Sequence, residues 1–332
     1  MDIIELDKLC KSFDKLVAVD KVSFAVREGE IFGFLGPNGA GKTTTLSMLS
    51  TLSKPTSGMA TVNGFDIQKE KSDVRKSIGM VFQDPSLDDE LTAYENMDFH
   101  GRLYGVPSNV RKKKTIELLK MVELDERKDS LVKTFSGGMK RRLEIARGLL
   151  HEPKILFLDE PTLGLDPQTR NKLWNYIKKL NKKKKLTIII TTHYMDEADK
   201  LCDRIAIIDH GKLITIGTPE ELKNQVGGGI ITIKTQNAKK LENILNKCKW
   251  CGTVKKHDSS VTVTTKDASK KVAEIFKLAG KKKISISSIT IHDPSLEDVF
   301  LFFTGKTIRE QESSATDFMR LRRRVWTGGR RR

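Results

Sequence analysis

The sequence predicts an α/β domain carrying a helical insertion, followed by a small α+β domain. Three observations carry this prediction. Strand-length apolar runs at residues 31–35, 155–158 and 187–191 are separated by helix-like stretches, the pattern of a buried sheet flanked by helices. Residues 88–151 are rich in helix formers and poor in strand signals. After the break Gly227-Gly228-Gly229 the segments run β-α-β-β-α-β, the split βαβ or ferredoxin-like order.

The elements follow in order. Ile31-Phe32-Gly33-Phe34-Leu35 is a buried strand that feeds straight into a glycine-rich turn, and residues 43 to about 52 form the helix after it. The insertion contains a helical run over 139–150. Strands at 155–158 and 187–191 bracket a helix over 167–180, which closes a first domain over residues 1–226. In the second domain, 230–305, a strand at 230–235 leads to a helix over 238–249. A hairpin pairs 253–256 with 261–265, and a helix over 267–278, a strand at 284–291 and a last helix over 294–303 complete it. Residues 306–332 form a basic tail.

Bulk properties bound the function. With 332 residues the chain holds one large and one smaller domain. No apolar run approaches the ~20 residues that cross a bilayer, and the start Met1-Asp2-Ile3-Ile4-Glu5 shows no secretory signal. The net charge of +17 is compatible with nucleic acid, an anionic membrane surface or an anionic substrate. Most lysines, such as Lys112–Lys114 and Lys182–Lys185, fall in clusters that suit a solvated face. From residue 320 onward, Arg320, Arg322, Arg323, Arg324, Arg330, Arg331 and Arg332 occur with no acid among them, which suits either a lipid-touching tail or a disordered end. Cys248-Lys249-Trp250-Cys251 has zinc-like spacing but no second matched pair, so reduced, unpaired thiols are expected.

Chemistry concentrates in three places. Gly36-Pro37-Asn38-Gly39-Ala40-Gly41-Lys42-Thr43 fits G-x-x-x-x-G-K-[ST], with a buried strand before it and a helix after it. Its glycines let successive N–H groups turn inward as an anion nest, and the helix N-terminus adds positive potential. Lys42 supplies a full charge for the β- and γ-phosphates, and Thr43 offers a hydroxyl to Mg²⁺. The turn is therefore expected to hold a nucleoside triphosphate. Second, the apolar run Ile155-Leu156-Phe157-Leu158 ends in Asp159-Glu160, the Walker B arrangement: Asp159 for Mg²⁺, Glu160 to polarise the attacking water. Third, Ser136-Gly137-Gly138 precedes the helical run at 139–150; alone it would be an ordinary N-cap.

Taken together, these pieces resemble the ATP-binding subunit of an ABC transporter. Phe135-Ser136-Gly137-Gly138-Met139 stands at the family's LSGGQ signature, with phenylalanine for leucine and methionine for glutamine. Gln83 stands at the Q-loop, Leu165-Asp166 at the D-loop and His193 at the switch histidine. Phe13 falls where the family stacks an aromatic on adenine, although a core phenylalanine is the alternative. Pro294-Ser295-Leu296-Glu297-Asp298-Val299-Phe300, followed by Thr304-Gly305, resembles the C-terminal extension of the daunorubicin-resistance type of drug exporter. The resemblance implies a P-loop NTPase of ABC type with a helical subdomain and a ferredoxin-like C-terminal domain.

It also implies roles. ATP and Mg²⁺ are the expected cofactors. Thr43, Gln83 and Asp159 arrange the metal and water, while Glu160, His193 and Gln83 act in catalysis. Phe13, Gly36, Pro37, Asn38, Gly39, Ala40, Gly41, Lys42, Thr43 and Thr44 bind nucleotide in this chain, and Ser136, Gly137, Gly138 and Asp166 complete the site. In the head-to-tail pair that the resemblance implies, each site takes one chain's P-loop and the other's signature, so one chain cannot complete a site alone and a second ATP-binding subunit, most simply another copy, is expected. A membrane permease would dock beside Gln83, which places the chain on the cytoplasmic face of the cell membrane, with no nucleic acid as partner. The competing class is a soluble ABC ATPase of translation or DNA repair; such proteins carry paired P-loops, zinc modules or long coiled coils, which this sequence lacks.

Overall fold

The computed structural model describes residues 1–14, 16–266 and 268–305; Asp267, where a helix was expected to begin, and the arginine-rich tail lie outside them. The chain divides into two compact units, one from Met1 to Ile216 and one beginning at Gly217.

The first unit opens with β1 (Asp2–Phe13) and β2 (Leu16–Arg27), then β3 (Ile31–Leu35), α1 (Lys42–Leu49), β4 (Ser57–Val62), β5 (Phe65–Asp66), α2 (Lys71–Ser77) and β6 (Ile78–Val81). Helices α3 (Ala93–Leu103), α4 (Ser108–Met121) and α5 (Gly137–Gly148) follow, with no strand among the described residues of that stretch, as expected of a helical insertion. Then come β7 (Ile155–Asp159), α6 (Pro167–Lys184), β8 (Thr187–Thr192), α7 (Met195–Leu201), β9 (Arg204–Asp209) and β10 (Lys212–Gly217).

Two sheets result. β2-β1-β4-β5 form one, antiparallel throughout. The other has the order β10-β9-β3-β8-β7-β6, and its pairs from β9 to β6 are parallel. β3, β7 and β8 are buried along their whole length, which explains why they appear in sequence as continuous apolar runs rather than alternating ones. Phe32, Phe34, Leu46, Met48 and Phe157 join residues of the antiparallel sheet in one core. In the insertion, Thr92 and Glu95 form a capping box at the start of α3. Arg111 of α4 reaches Asp98 of α3 at 2.5 Å, with both side chains largely buried.

The second unit contains α8 (Pro219–Val226), β11 (Gly229–Lys234), α9 (Ala238–Leu245), β12 (Val254–His257), β13 (Ser260–Thr265), α10 (Ala268–Lys281), β14 (Ser288–His292) and α11 (Leu296–Thr304). The sheet order is β12-β13-β11-β14, with every pair antiparallel: the outer strands are the second and fourth of the β-α-β-β-α-β series, the arrangement of a ferredoxin-like sheet. Ile231, Ile233, Leu241, Leu245, Val261, Val263 and Ile275 form its core. The division between units falls before α8, not at the glycine run. α8 buries Leu222 and Val226 and packs on α11. α9 is also shorter than the pattern suggested, since the chain turns after Leu245 into the Cys248–Cys251 stretch. The four cysteines are unpaired, and burial together with Cys248 pushes the Cys251 thiol up to about 12. No group of three or more candidate metal ligands occurs among the described residues.

Candidate nucleotide site

Register brings the sequence motifs to one edge of the parallel sheet. Leu35 pairs with Thr192 and Asp159 with Thr191, so the turns that begin at Gly36, Glu160 and His193 leave three adjacent strands side by side. This is the carboxyl edge, where ligands of open α/β sheets bind.

Backbone geometry explains the glycines of the first turn. Gly39 and Gly41 adopt φ of 82° and 103°, the left-handed region. At Gly36 a Cβ would stand 2.2 Å from the Ile208 carbonyl oxygen. α1 starts at Lys42 with no acidic residue in its first turn, which leaves its N-terminal potential open to an anion. Lys42 is 4% exposed and Glu160 6%, and their Nζ and Oε1 lie 3.4 Å apart. Lys42 Nζ also donates to the carbonyls of Gly36 at 2.8 Å and Pro37 at 3.0 Å.

Around this lysine stand the acids. Asp159 Oδ1 accepts from Thr43 Oγ1 at 3.1 Å and from Thr191 Oγ1. Burial raises the Asp159 carboxyl above its ordinary range despite both bonds. Glu160 has φ of 44°, unusual for a residue with a side chain. Its N–H is shared between Thr191 Oγ1 at 2.9 Å and Thr191 O at 3.1 Å. His193 Nδ1 lies 3.4 Å from Glu160 Oε1. Burial alone would raise the Glu160 carboxyl, but His193 and Lys42 outweigh it and hold it below the usual range. A buried carboxylate kept ionised beside a glycine-rich turn and a helix N-terminus can orient and polarise a water molecule.

Lys42, Thr43, Asp159, Glu160 and His193 are thus brought together with the Gly36–Gly41 turn; Gln83, Phe13, Ser136, Gly137, Gly138 and Asp166 have other settings. Gln83 is exposed just after β6. Phe13 is half exposed, with Lys11 Nζ 4.8 Å above its ring, so it is no core residue. Ser136 caps α5 by accepting from the Met139 N–H at 3.3 Å, and Ser136 and Gly137 are exposed. Gly138 is buried, where a Cβ would meet Thr169 Cγ2 at 2.4 Å. Asp166 caps α6, accepting from the N–H groups of Gln168 and Thr169 at 3.0 Å each.

Sequence reasoning missed Thr191, which binds both Asp159 and Glu160, and the buried charges Arg141 and Glu144 of α5. A charged helical residue is by default assigned to solvent, and no spacing in the sequence marked these as interior. Next to Gln83 lies a groove of about 180 Å³ lined by Leu52, Met80, Phe82, His100, Tyr104 and Arg147 among others. Leu52, Phe82 and Tyr104 are exposed there. Burial, with Arg147 and His151 adding to it, pushes His100 down to about 4, so its ring is neutral at physiological pH.

Comparison with known proteins agrees with this geometry. Residues 19–163 match the ABC transporter family model, and residues 217–303 match the C-terminal domain of DrrA1-3-like ATP-binding proteins. The linearmycin resistance ATP-binding protein LnrL of Bacillus subtilis is 40% identical over 312 residues, covering 93% of this chain and 100% of that protein. Among solved structures, cbiO1 of Clostridium perfringens, part of the ABC transporter complex cbiONQ, aligns with a TM-score of 0.63 and 32% identity over 67% of this chain and 90% of its own. The ATP-binding cassette MJ0796, solved as a dimer bound to ADP and Pi, aligns with a TM-score of 0.58 and 30% identity over 65% of this chain and 98% of its own. The nest at Gly36–Thr43, the acids at the end of β7 and these likenesses agree: the chain belongs to the ATP-binding proteins of ABC transporters, is homologous to the ATPases of drug-resistance exporters, and is itself an ATPase.

Proposed function

We propose that this chain powers export of drugs, lipids or other hydrophobic compounds through a separate membrane subunit, from the cytoplasmic face of the membrane. The observation that carries the catalytic part is the buried cluster of Lys42 Nζ and His193 Nδ1, each 3.4 Å from Glu160 Oε1, at the mouth of the Gly36–Thr43 nest. An incoming triphosphate competes with Glu160 for Lys42 and frees the carboxylate to take a water proton. The turn from Gly36 to Thr44 is assigned to the phosphates, although the Gly36 and Ala40 N–H groups are already given to Thr192 O and Pro37 O, and His193 is assigned to the γ-phosphoryl group. Phe13, exposed on β1, is assigned to the adenine ring.

Thr43 Oγ1 and Asp159 Oδ1, 3.1 Å apart, are hard oxygen donors of the kind Mg²⁺ takes, and with Gln83 they would hold it. When bound, that ion offsets charge on the β- and γ-phosphates. The exposed cap Ser136-Gly137, with Gly138 and Asp166, is assigned to a second copy's nucleotide, head to tail. The dimeric MJ0796 cassette supports that assembly. The aromatic groove beside Gln83 is assigned to a helix of the membrane subunit, in keeping with cbiO1 being part of a transporter complex. Nucleic acid has no place in this reading.

The test is hydrolysis by E160Q. The amide keeps the shape of the side chain but cannot take a proton, so kcat should fall by about 10²-fold or more while ATP affinity stays near that of the parent. Parent-like turnover by E160Q would sink the assignment of the base.

A further inference from the structure

We propose that Arg141 of α5 is the positioning residue for Glu160, and that with Glu144 and Arg147 it ties the Q-loop to the same helix. This rests on Glu160 being the base.

The guanidinium of Arg141 is buried, and its donors go to three separate segments. Nε donates to Pro161 O at 2.9 Å and Nη2 to Asp159 O at 2.8 Å, the carbonyls on either side of Glu160. Nη1 donates to Phe82 O at 2.5 Å, the residue before Gln83, and to Glu144 Oε2 at 3.0 Å. Further along α5, Glu144 Oε1 accepts from the Ser86 N–H at 2.8 Å. Arg147 donates to Ser86 O at 2.6 Å and to Ser86 Oγ. Residues at intervals of three on one helix thus hold the Q-loop at both Phe82 and Ser86.

Glu160 needs such support. Its φ of 44° is a left-handed conformation that is costly for a non-glycine residue, and it persists only where the surroundings fix it. Thr191 fixes the N–H side and Arg141 fixes the flanking carbonyls. Only a planar fork with divergent N–H groups reaches Pro161 O, Asp159 O and Phe82 O together; a lysine ammonium keeps the charge but lacks that geometry. α5 is capped by Ser136 and begins at Gly137, so the helix assigned to a second copy's nucleotide also carries the device that aims this chain's own Glu160.

The experiment measures MgATP hydrolysis and ATP binding by the full chain, with its membrane subunit where turnover requires it. R141K should lower kcat about tenfold or more, with KM and ATP affinity within about threefold of the parent. In the E160Q background R141K should add no further loss, because the group it positions is already disabled. R142K is the control: Arg142 donates to Val122 O and reaches neither Glu160 nor the Q-loop, and it should retain parent kcat. If R141K does not fold, R141Q decides, with the same expected loss of kcat at parent Tm and KM. Parent kcat in the deciding variant, a loss of kcat and ATP affinity that tracks a falling Tm, or an additive loss in E160Q overturns the proposal. Turnover by E160Q at the parent rate overturns the base assignment and this proposal together, whereas an inactive E160Q beside a fully active R141K overturns this proposal alone.

Discussion

Gly138 shows how one missing side chain sets the approach of two helices. A Cβ there would stand 2.4 Å from Thr169 Cγ2, so α5 lies against α6 only because position 138 is bare. G138A forces the helices apart at a cost of about 1–3 kcal/mol. Thermal unfolding should show a lower Tm, and the double variant G138A/T169A should recover most of it, since removing the threonine branch clears the space. A double variant as unstable as the single one would mean that the clash is not the cause. Glu160 illustrates the opposite case, in which a residue with a side chain is forced into glycine's conformation and held there by neighbours on both sides.

At the scale of elements, α3 and α4 are joined by a largely buried ionic contact. Asp98 accepts from Arg111, and that bond, against the effect of burial, holds its carboxyl below the usual range, with Arg102 helping. A carboxyl whose folded pKa is depressed stabilises the fold above its unfolded value, about 3.9, and loses that contribution as pH falls through the folded value. D98N should therefore lower stability by about 1–2 kcal/mol at neutral pH, and the difference from the parent should close in acid below about pH 4. A difference that does not change with pH would exclude the charge as its source. The elements also differ in how far the sequence disclosed them. β3, β7 and β8 were plain because both faces of each are buried. β1 and β2 were hidden: bulges shift their register between Leu6 and Leu9, and Lys8 and Lys21 adopt φ of 47° and 49°, so the alternation that marks a strand is broken. The glycine-rich turn at 36–43 and the acids Asp159 and Glu160 could be found because each is local in the chain. Thr191 and Arg141 act on them from other segments, and nothing in their own neighbourhoods announces it.

For the whole molecule, the exposed Ser136-Gly137 cap lies on a different helix from the Lys42 nest, so the assembly predicted is a head-to-tail pair. Light scattering should show E160Q shifting from monomer to dimer on adding MgATP, and S136E, which places a negative charge where a γ-phosphate is expected, should prevent the shift while ATP still binds. Dimerisation of S136E equal to that of E160Q alone would place the interface elsewhere.

Of the groups that receive the Arg141 fork, three are main-chain oxygens, at Phe82, Asp159 and Pro161. Every amino acid supplies such an oxygen. Drift at position 82 or 161 therefore leaves the bond intact, and no compensating exchange need accompany it. A search for paired changes among relatives would pass over this tie: its anchor is a side chain, but most of what it grips has no identity to vary.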